Sequence, residues 1–154
     1  MPVQLEGRLA RSDRPAPGDR CPIDRAVRIV GTRSAMLLLR EALYGTARFD
    51  DFVARTGLTP AVTAARLREL VDAGLLGREP YREPGQRTRQ AYVLTASGHD
   101  ILPAVVALAT WGAKHVPRAG TPTFAHAGCG APVGVGLRCA DGHAVDEEHL
   151  VVDA

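Results

Sequence analysis

The stretch LTPAVTAARLRELVDAGLL, from Leu58 to Leu76, decides the fold that the sequence predicts. It carries helix signals at both ends. The hydroxyl of Thr59 can accept a hydrogen bond from the first turn, and Pro60 suits the first helical position. Gly74 can adopt the backbone conformation that ends a helix. The sequence therefore predicts a helix between Thr59 and Gly74.

The two faces of this helix differ in chemistry. Thr63, Leu67 and Leu70 recur at helical spacing and are predicted to point inward. The remaining side carries small residues and arginines: Ala61, Ala64, Ala65, Arg68 and, at its margin, Arg66. Because arginine suits contact with phosphate and guanine, this side is a candidate DNA-contacting surface. A face that is merely solvated is the alternative.

A shorter helix is predicted directly before this one. The segment FDDFVART, residues 49–56, places Phe49, Phe52 and Val53 on one side, and Gly57 follows it. Two short helices joined by the turn GLTP form a helix-turn-helix pattern.

Two further helices are predicted upstream. The first begins after Cys21 and Pro22 and ends at Gly31. The second, RSAMLLLREALY at 33–44, has Thr32 in the capping position. Its apolar run is expected to be central and buried.

The hydrophobic period changes downstream of the opening stretch. The segments LLGREPYR (75–82) and RQAYVLT (89–95) are typical of strands, and the EPGQRT between them has turn chemistry. A hairpin after a helix-turn-helix is a wing. One long helix is then predicted to begin at Thr95 or Ser97 and to run through GHDILPAVVALATWGAKH. Its apolar residues cover more than one face, which predicts packing against a second chain.

Composition divides the 154-residue chain into three parts. Residues 1–20 are rich in Pro, Arg and Asp and are predicted to form a flexible arm. Residues 21–116 form the predicted folded body, and residues 117–154 form a linker and a small tail. Residues 21–118 carry fourteen basic and nine acidic residues, whereas residues 119–154 carry one basic and five acidic residues. The predicted fold class is mainly α with a small β-hairpin, a winged helix-turn-helix.

Composition also excludes several classes of protein. No run of about 18 apolar residues is free of charge, so no membrane span is expected. The N-terminal segment lacks the apolar block of a secretory signal. Three cysteines, an odd number, argue against a disulfide framework, and a cytoplasmic location is expected. No Ser-His-Asp arrangement, phosphate loop or paired carboxylates indicate an enzyme.

Several blocks of the sequence resemble the HxlR-type transcription regulators, relatives of the multidrug-resistance (MarR) regulators. The blocks are CPIDRAVRIVGTR, LLLREALYGTARFDDF, the opening stretch extended to Tyr81, and YVLTASGHDILPAVVALATWG, which together span about 21–115. The resemblance implies a cytoplasmic homodimer, joined through its N- and C-terminal helices, that binds pseudo-palindromic operator DNA. It also implies that Cys21, before the first helix, is a candidate sensor of electrophiles or oxidants. The chain departs from the family at Thr63, where leucine is preferred.

The predicted function is that of a sequence-specific DNA-binding transcription regulator. In a winged helix-turn-helix the second helix enters the major groove and the wing tracks phosphate or the minor groove. The residues predicted to contact DNA are Arg33, Arg48, Thr59, Ala61, Thr63, Ala64, Ala65, Arg66, Arg68, Arg82, Arg87 and Arg89. A winged-helix protein-interaction module without specific DNA binding is the alternative. The sequence leaves the operator open, and also whether the protein is a repressor or an activator.

Two regulatory sites are hypotheses. Cys21 precedes a helix, where unpaired N–H groups favour a thiolate, so it is either a redox or electrophile sensor or a structural residue at a helix start. The apolar excess on the last helix suggests a pocket for a small aromatic or electrophilic effector. The predicted lining residues are Leu102, Val105, Val106 and Trp111.

The tail contains a candidate metal site. Its ligands follow the spacing H-x2-C-x9-C-x3-H: His126, Cys129, Cys139 and His143. Two thiolates and two imidazoles suit tetrahedral zinc, and four protein ligands would make the site structural. The alternative is a small hairpin without metal, formed by APVGVGLRC (131–139) and GHAVDEEHLVV (142–152).

Overall fold

A computed structural model describes residues 3–13, 16 and 18–153 of the chain. Five residues of the predicted arm and the last residue of the predicted tail lie outside the described residues. The helices and strands follow one another in the order β1 (Gln4–Leu5), α1 (Pro22–Val30), α2 (Arg33–Leu43), α3 (Phe49–Thr56), α4 (Pro60–Asp72), β2 (Leu76–Tyr81), β3 (Arg89–Leu94), α5 (Ala96–Asp100), α6 (Leu102–His115), β4 (Leu137–Arg138), β5 (Ala144–Val145) and β6 (Val151–Val152). Each helix in the described part of the chain is too short or too polar to span a lipid bilayer.

The two upstream helices begin and end where the sequence predicts. Gly31 is the C-terminal cap of α1. The hydroxyl of Thr32 accepts a hydrogen bond from the backbone N–H of Ala35 and so caps α2, at 3.1 Å. The expected burial of α2 is confirmed at Leu38 and Leu39, which are fully buried.

Helices α3 and α4 form the predicted helix-turn-helix. Gly57 has a φ of +66°, in the left-handed region that glycine adopts without strain, and it ends α3. The hydroxyl of Thr59 then accepts a hydrogen bond from the backbone N–H of Val62 at 3.3 Å and caps α4. At the other end of α4, Gly74 has a φ of +76° and turns the chain into the wing.

The wing is an antiparallel pair of β2 and β3. Its register runs from Leu76 opposite Leu94 to Tyr81 opposite Arg89. The predicted hairpin is therefore confirmed, and residues 82–88 form the loop at its tip.

The single long helix predicted after the wing is wrong, because α5 and α6 are two helices separated at Ile101. Thr95 starts α5, as predicted, since its hydroxyl accepts a hydrogen bond from the backbone N–H of Gly98 at 3.1 Å. The same hydroxyl donates to the carbonyl of Gly74 at 2.6 Å, which ties α5 to the end of α4. Pro103 has no backbone N–H with which to continue the helical ladder, and it lies in the first turn of α6.

A single hydrophobic core joins α2, α3, α4 and the start of the wing. Its buried members are Ala35, Leu38, Leu39, Ala42, Phe52, Leu67, Leu70, Leu75 and Leu76. The rings of Phe52 and Tyr92 meet edge to face with centroids 6.1 Å apart. Tyr92 and Leu94 pack against this core, as predicted for one face of the second wing strand. Helix α4 and the wing therefore pack against the same hydrophobic core.

The described residues of the tail form short strands and one 3-10 turn at Glu147–His149. β4 pairs with β5 in an antiparallel hairpin, with Leu137 opposite Val145. β6 pairs in parallel with β1, so that Gln4 lies opposite Val151. The prediction of a flexible arm over residues 1–20 is therefore wrong for β1, which is paired. The signal was absent from the sequence, because a two-residue strand has no hydrophobic period.

Candidate nucleic-acid interface

Helix α4 has one buried face and one exposed face. Thr63, Leu67 and Leu70 are at most 1% exposed and lie against the core. These residues are four and three positions apart, and residues at that spacing lie on the same side of a helix. The exposed face presents Ala61, Ala65 and Arg68. The orientation predicted for this helix is therefore the one observed.

Thr63 has two predicted roles, and the structure supports only one of them. The residue points inward as predicted, but it is 0% exposed, so its side chain cannot reach a base edge. Thr63 is therefore removed from the predicted set of DNA-contacting residues. Ala64 and Arg66 are half-buried at the margin of the exposed face, and Arg66 forms an ion pair with Glu69.

Two of the arginines predicted to contact DNA form ion pairs between the wing and the start of α3. Arg48 lies 2.7 Å from the carboxylate of Glu83, and its guanidinium lies over the ring of Tyr81 at 5.1 Å from the centroid. Arg89 lies 3.6 Å from the carboxylate of Asp50. The sequence analysis missed both acidic partners, because these pairs join residues far apart in the chain. Arg48 and Arg89 therefore offer less free charge to phosphate than the sequence predicts.

Other arginines predicted to contact DNA are not paired with any carboxylate that the structure describes. Within the part of the chain that the structure describes, those without an acidic partner are Arg33, Arg68, Arg82 and Arg87. All four are exposed. Arg82 donates from Nε to the backbone carbonyl of Gln86 at 3.0 Å, which shapes the wing loop. Thr59 is exposed at the start of α4, although its hydroxyl is used as the cap.

A shallow polar cavity of about 190 Å³ lies between the end of α2 and α3. It is lined by Tyr44, Gly45, Thr46, Ala47, Arg48, Asp51 and Arg55. Next to it the buried carboxylate of Glu41 accepts hydrogen bonds from Arg40 at 2.6 Å and from the hydroxyl of Thr46 at 3.1 Å. None of the residues predicted to bind an effector lines this cavity.

The four predicted effector residues lie on different sides of α6. Val105 and Val106 are buried, whereas Leu102 and Trp111 are exposed. At 3.6 residues per turn, Trp111 lies about 180° around the helix from Leu102. The four residues therefore do not line one pocket within a single chain, and an effector site here stays a prediction that would need a second protomer.

Large apolar side chains are exposed on the first and last helices. On α1, Ile23 is 72% and Val27 is 55% exposed. On α6, Leu108 is 57% and Trp111 is 58% exposed, and the Trp111 ring lies beside that of His115, tilted by 36°, with centroids 5.1 Å apart. Exposed apolar residues on two helices of a small domain indicate a surface for another protein chain.

Cys21 is the N-cap residue of α1. It is half-buried, and its thiol is not part of a disulfide. Its backbone carbonyl accepts the first helical hydrogen bond, from the N–H of Arg25 at 3.1 Å. The residue thus lies at the start of a helix that exposes Ile23 and Val27.

The four predicted metal ligands form two pairs. Nδ1 of His126 lies 3.3 Å from Sγ of Cys129, and Sγ of Cys139 lies 3.6 Å from Nδ1 of His143. The ligand atoms of Cys139, Asp141 and His143 lie within 4.8 Å of one another. The described residues therefore do not bring all four predicted ligands together, and they add Asp141, which the sequence analysis missed.

Comparison with known proteins gives a consistent picture. The profile of the HxlR-like helix-turn-helix family matches residues 29–119. An uncharacterized HTH-type transcriptional regulator of Mycobacterium tuberculosis strain H37Rv is 36% identical over 119 residues, which are 76% of this chain and 74% of that protein.

Solved structures share the fold. PA1607, a candidate transcription factor, matches 83% of this chain and 90% of its own with a TM-score of 0.74 and 30% identity. The redox regulator HypR in its oxidised form matches 62% of this chain and 97% of its own with a TM-score of 0.56 and 26% identity. The match to PA1607 covers more residues than the body 21–116 contains, so it includes part of the terminal segments.

The family profile covers more than half of the chain and includes the helix-turn-helix and the wing. The fold and the similar sequences agree with it. The chain therefore belongs to the HxlR-like helix-turn-helix family and is a transcriptional regulator of the helix-turn-helix type, not an enzyme.

Proposed function

We propose that the protein acts as a homodimer that inserts two copies of α4 into successive major grooves of a pseudo-palindromic operator. The observation that carries this proposal is the division of α4 into two faces. Its inner face is fixed in the core by Leu67 and Leu70, so the outer face is held outward in one orientation. A rigid recognition element loses little conformational freedom on binding, which favours specific contact.

The chemistry of the outer face suits the edges of base pairs. Ala61 and Ala65 are small, and apolar contact with the thymine methyl group is a known mode of major-groove recognition. Arg68 is exposed on the same face and can make bidentate hydrogen bonds to guanine. Arg87 in the wing loop has no acidic partner among the described residues and is suited to phosphate.

A second protomer supplies the partner that the exposed apolar side chains lack. Ile23 on α1 and Leu108 and Trp111 on α6 are each more than half exposed in the single chain. Their burial in an interface would contribute about 25 cal/mol for each Å² of apolar surface removed from water. Two recognition helices related by a twofold axis would then lie about 34 Å apart, which is one turn of DNA.

DNA binding is tested with genomic fragments selected by the purified full-length chain. Affinity for a selected fragment is expected to fall steeply with rising salt, because arginines displace counterions from phosphate. Arg68→Ala is expected to cost about 1–3 kcal/mol and to relax the base preference at one position of each half-site. Arg87→Ala is expected to weaken binding to all fragments and to lower the salt slope by about one.

Arg118→Ala is the matched control, because Arg118 is an exposed arginine in the linker, outside the predicted contact set. Its affinity for the fragment should equal that of the unchanged protein. If Arg68→Ala and Arg87→Ala both leave DNA affinity unchanged, the proposed interface is wrong. The alternative, a winged-helix protein-interaction module, would then be favoured.

The dimer is tested by sedimentation. Leu108→Glu places a charge in the proposed interface and is expected to give monomers, because an unpaired buried charge is costly. Tyr44→Glu changes an exposed residue outside α1 and α6 and should leave the dimer intact. Sedimentation of the unchanged protein as a monomer would contradict the proposal.

We also propose that oxidation of Cys21 alters the DNA affinity of the dimer. Two observations support it: the half-buried thiol lies at the start of α1, and a similar structure is that of a redox regulator in oxidised and reduced forms. A peroxide would convert the thiolate and a proton to sulfenic acid and water. Mass spectrometry should detect this adduct on Cys21, and DNA affinity should change in the unchanged protein but not in Cys21→Ser. Equal DNA affinity before and after the adduct forms would refute the sensor.

The effector pocket is proposed only for the dimer. Trp111 is exposed on the side of α6 away from Leu102, so a partner helix could complete an aromatic-lined site there. Calorimetric titration with small aromatic compounds tests this, and Trp111→Ala should abolish any binding found. Saturable binding that leaves DNA affinity unchanged would reject a regulatory role.

A further inference from the structure

We propose that the tail is a zinc-binding unit in which His126, Cys129, Cys139 and His143 hold one Zn²⁺. This inference is independent of DNA binding, because all four residues follow the winged-helix body. It goes beyond the family assignment, which rests on residues 29–119.

The spacing within each pair is that of two ligands on one metal ion. Zinc binds sulfur at about 2.3 Å and nitrogen at about 2.1 Å, so tetrahedral geometry places the two ligand atoms about 3.6 Å apart. The observed separations are 3.3 Å between His126 and Cys129 and 3.6 Å between Cys139 and His143. Each turn therefore already holds one thiol and one imidazole at a spacing that a shared zinc ion requires.

The two turns close in a related way, although the first spans six residues (126–131) and the second five (139–143). In the first, the N–H of His126 donates to the carbonyl of Ala131, the residue after Gly130, whose φ is +71°. In the second, the N–H of Cys139 donates to the carbonyl of His143, the residue after Gly142. Gly142 has a φ of +83°, so each turn closes through a left-handed glycine.

A further glycine accommodates the first imidazole. A Cβ atom at Gly128 would lie 2.9 Å from Cε1 of His126, closer than real Cβ contacts allow. The missing side chain therefore lets the ring of His126 fold over its own turn toward Cys129. The second turn is stabilised by a side-chain hydrogen bond, because Arg138 donates to the carbonyl of Gly142 at 2.8 Å.

The tail lacks the apolar packing that would order it without a metal. No residue of the described range 117–153 is buried, and Phe124, Val145 and Leu150 are only partly so. Units this small usually depend on a disulfide or a structural metal, because they cannot bury enough apolar surface. Binding one ion through all four ligands requires the two turns to approach each other, because the only three candidate ligands among the described residues whose ligand atoms all lie within 4.8 Å of one another are Cys139, Asp141 and His143.

Asp141 is the rival ligand, because its carboxylate lies within 4.8 Å of the ligand atoms of Cys139 and His143. A site made of these three residues would use the second turn alone and would leave one tetrahedral position to water. The four-ligand set accounts for both turns, whereas the three-ligand set leaves the His126–Cys129 pair without a role.

The test uses the full-length chain purified without a histidine tag or chelator. Metal analysis is expected to find one Zn²⁺ per chain. Replacement with Co²⁺ should give the visible absorption of a tetrahedral site and a thiolate-to-metal charge-transfer band. A zinc content near zero that added Zn²⁺ does not raise would overturn the proposal and leave two thiol–imidazole contacts only.

Variants identify the ligands. Cys129→Ser and Cys139→Ser are each expected to lower zinc affinity by more than about 100-fold, more than the loss usual for a residue that only supports a ligand. Cys21→Ser is the matched thiol control and should bind zinc normally, as should Asp141→Asn. If Cys129→Ser binds zinc normally while Asp141→Asn does not, the four-ligand site is wrong.

A structural readout separates loss of metal from loss of fold. The helical circular dichroism signal arises from the body and should be the same in every tail variant. Limited proteolysis should cut within 117–153 after zinc removal and should be slowed when zinc is restored. Equal cleavage with and without bound zinc would overturn the idea that the metal orders the tail.

Discussion

The winged-helix body and the C-terminal tail follow one another in one chain, but they are stabilised differently. In the body, Leu38, Phe52 and Leu67 from three helices meet with no exposed surface. In the tail, no residue of 117–153 is buried. Burial of one large apolar side chain contributes about 1.5–3 kcal/mol, so the body has a source of stability that the tail lacks. Apolar burial alone therefore does not account for the order of the tail.

The polar contacts of the tail do not compensate for its lack of apolar burial. His149 bonds to Asp146, and this hydrogen bond lowers the pKa of the Asp146 carboxyl, yet both side chains are exposed. Exposed ion pairs contribute little, because water and salt screen them. The pairing of β6 with β1 adds backbone hydrogen bonds, such as the one from Gln4 N–H to the Leu150 carbonyl at 2.9 Å.

The largest effect is expected from Phe52→Ala. Phe52 is 0% exposed at the centre of the core, so truncation removes buried apolar surface and leaves a cavity. The free energy of unfolding should fall by about 3–5 kcal/mol, measured by urea denaturation at fixed protein concentration. Leu137→Ala in the tail is the comparison and should change it by less than about 0.5 kcal/mol. Equal losses would mean that the tail shares the core.

A smaller loss is expected from Gly98→Ala in α5. A Cβ atom at Gly98 would lie 2.1 Å from the carbonyl oxygen of Leu75, so α5 must move away from the wing. Overpacking of this kind costs about 1–3 kcal/mol of unfolding free energy. Gly134→Ala in the tail is the matched control, because nothing lies within 4 Å of the added Cβ there. Thermal unfolding of both variants measures the difference, and an unchanged midpoint for Gly98→Ala would contradict the close contact.

A gain in stability is expected from Thr63→Val. Thr63 is fully buried, and its hydroxyl has no hydrogen-bond partner among the described residues. Replacing the hydroxyl with a methyl group of similar size should raise the free energy of unfolding by about 1 kcal/mol. DNA affinity should not change, because the side chain does not reach the surface. A drop in DNA affinity for Thr63→Val would restore this residue to the interface.

Thr59→Ala removes the N-terminal cap of the same helix and should instead lower the free energy of unfolding by about 1 kcal/mol.

The smallest effect is expected at the contact between the wing loop and the start of α3. Arg48 and Glu83 form an ion pair at 2.7 Å, but both side chains are more than a third exposed. A double-mutant cycle with Arg48→Gln and Glu83→Gln should give a coupling energy below about 1 kcal/mol. The coupling should vanish at about 1 M salt, where charges are screened within roughly 3 Å. A larger coupling that survives high salt would show that the pair is desolvated.

The parts of the fold that the sequence predicts well are those with local signals. Gly57 and Thr59 bound the turn between α3 and α4, and both act as predicted because capping and left-handed glycines depend only on nearby residues. The wing follows from alternating residues around a Pro-Gly turn. Pro103 also carries a local signal, for a break, but the continuous apolar run on both sides of it favoured one helix.

The parts that the sequence does not predict depend on contacts between distant residues. The pairing of Gln4 with Val151 joins segments from opposite ends of the chain and leaves no periodic trace. The ion pair between Arg48 and Glu83 likewise requires the fold before it can be recognised. For this reason the sequence overestimates the free positive charge of the interface. It also cannot place Asp141 beside Cys139 and His143, because that proximity is a property of the turn.

Thr95 and Gly98 connect the start of α5 to the C-terminal end of α4. Thr95 binds the carbonyl of Gly74 at the end of α4, and Gly98 rests directly on Leu75. A displacement of α5 that keeps both contacts would therefore move the C-terminal end of α4 with it. The 13 residues of α4 span roughly 20 Å, so a tilt of about 10° would displace its N-terminal end by about 3 Å, close to the spacing of one base-pair step.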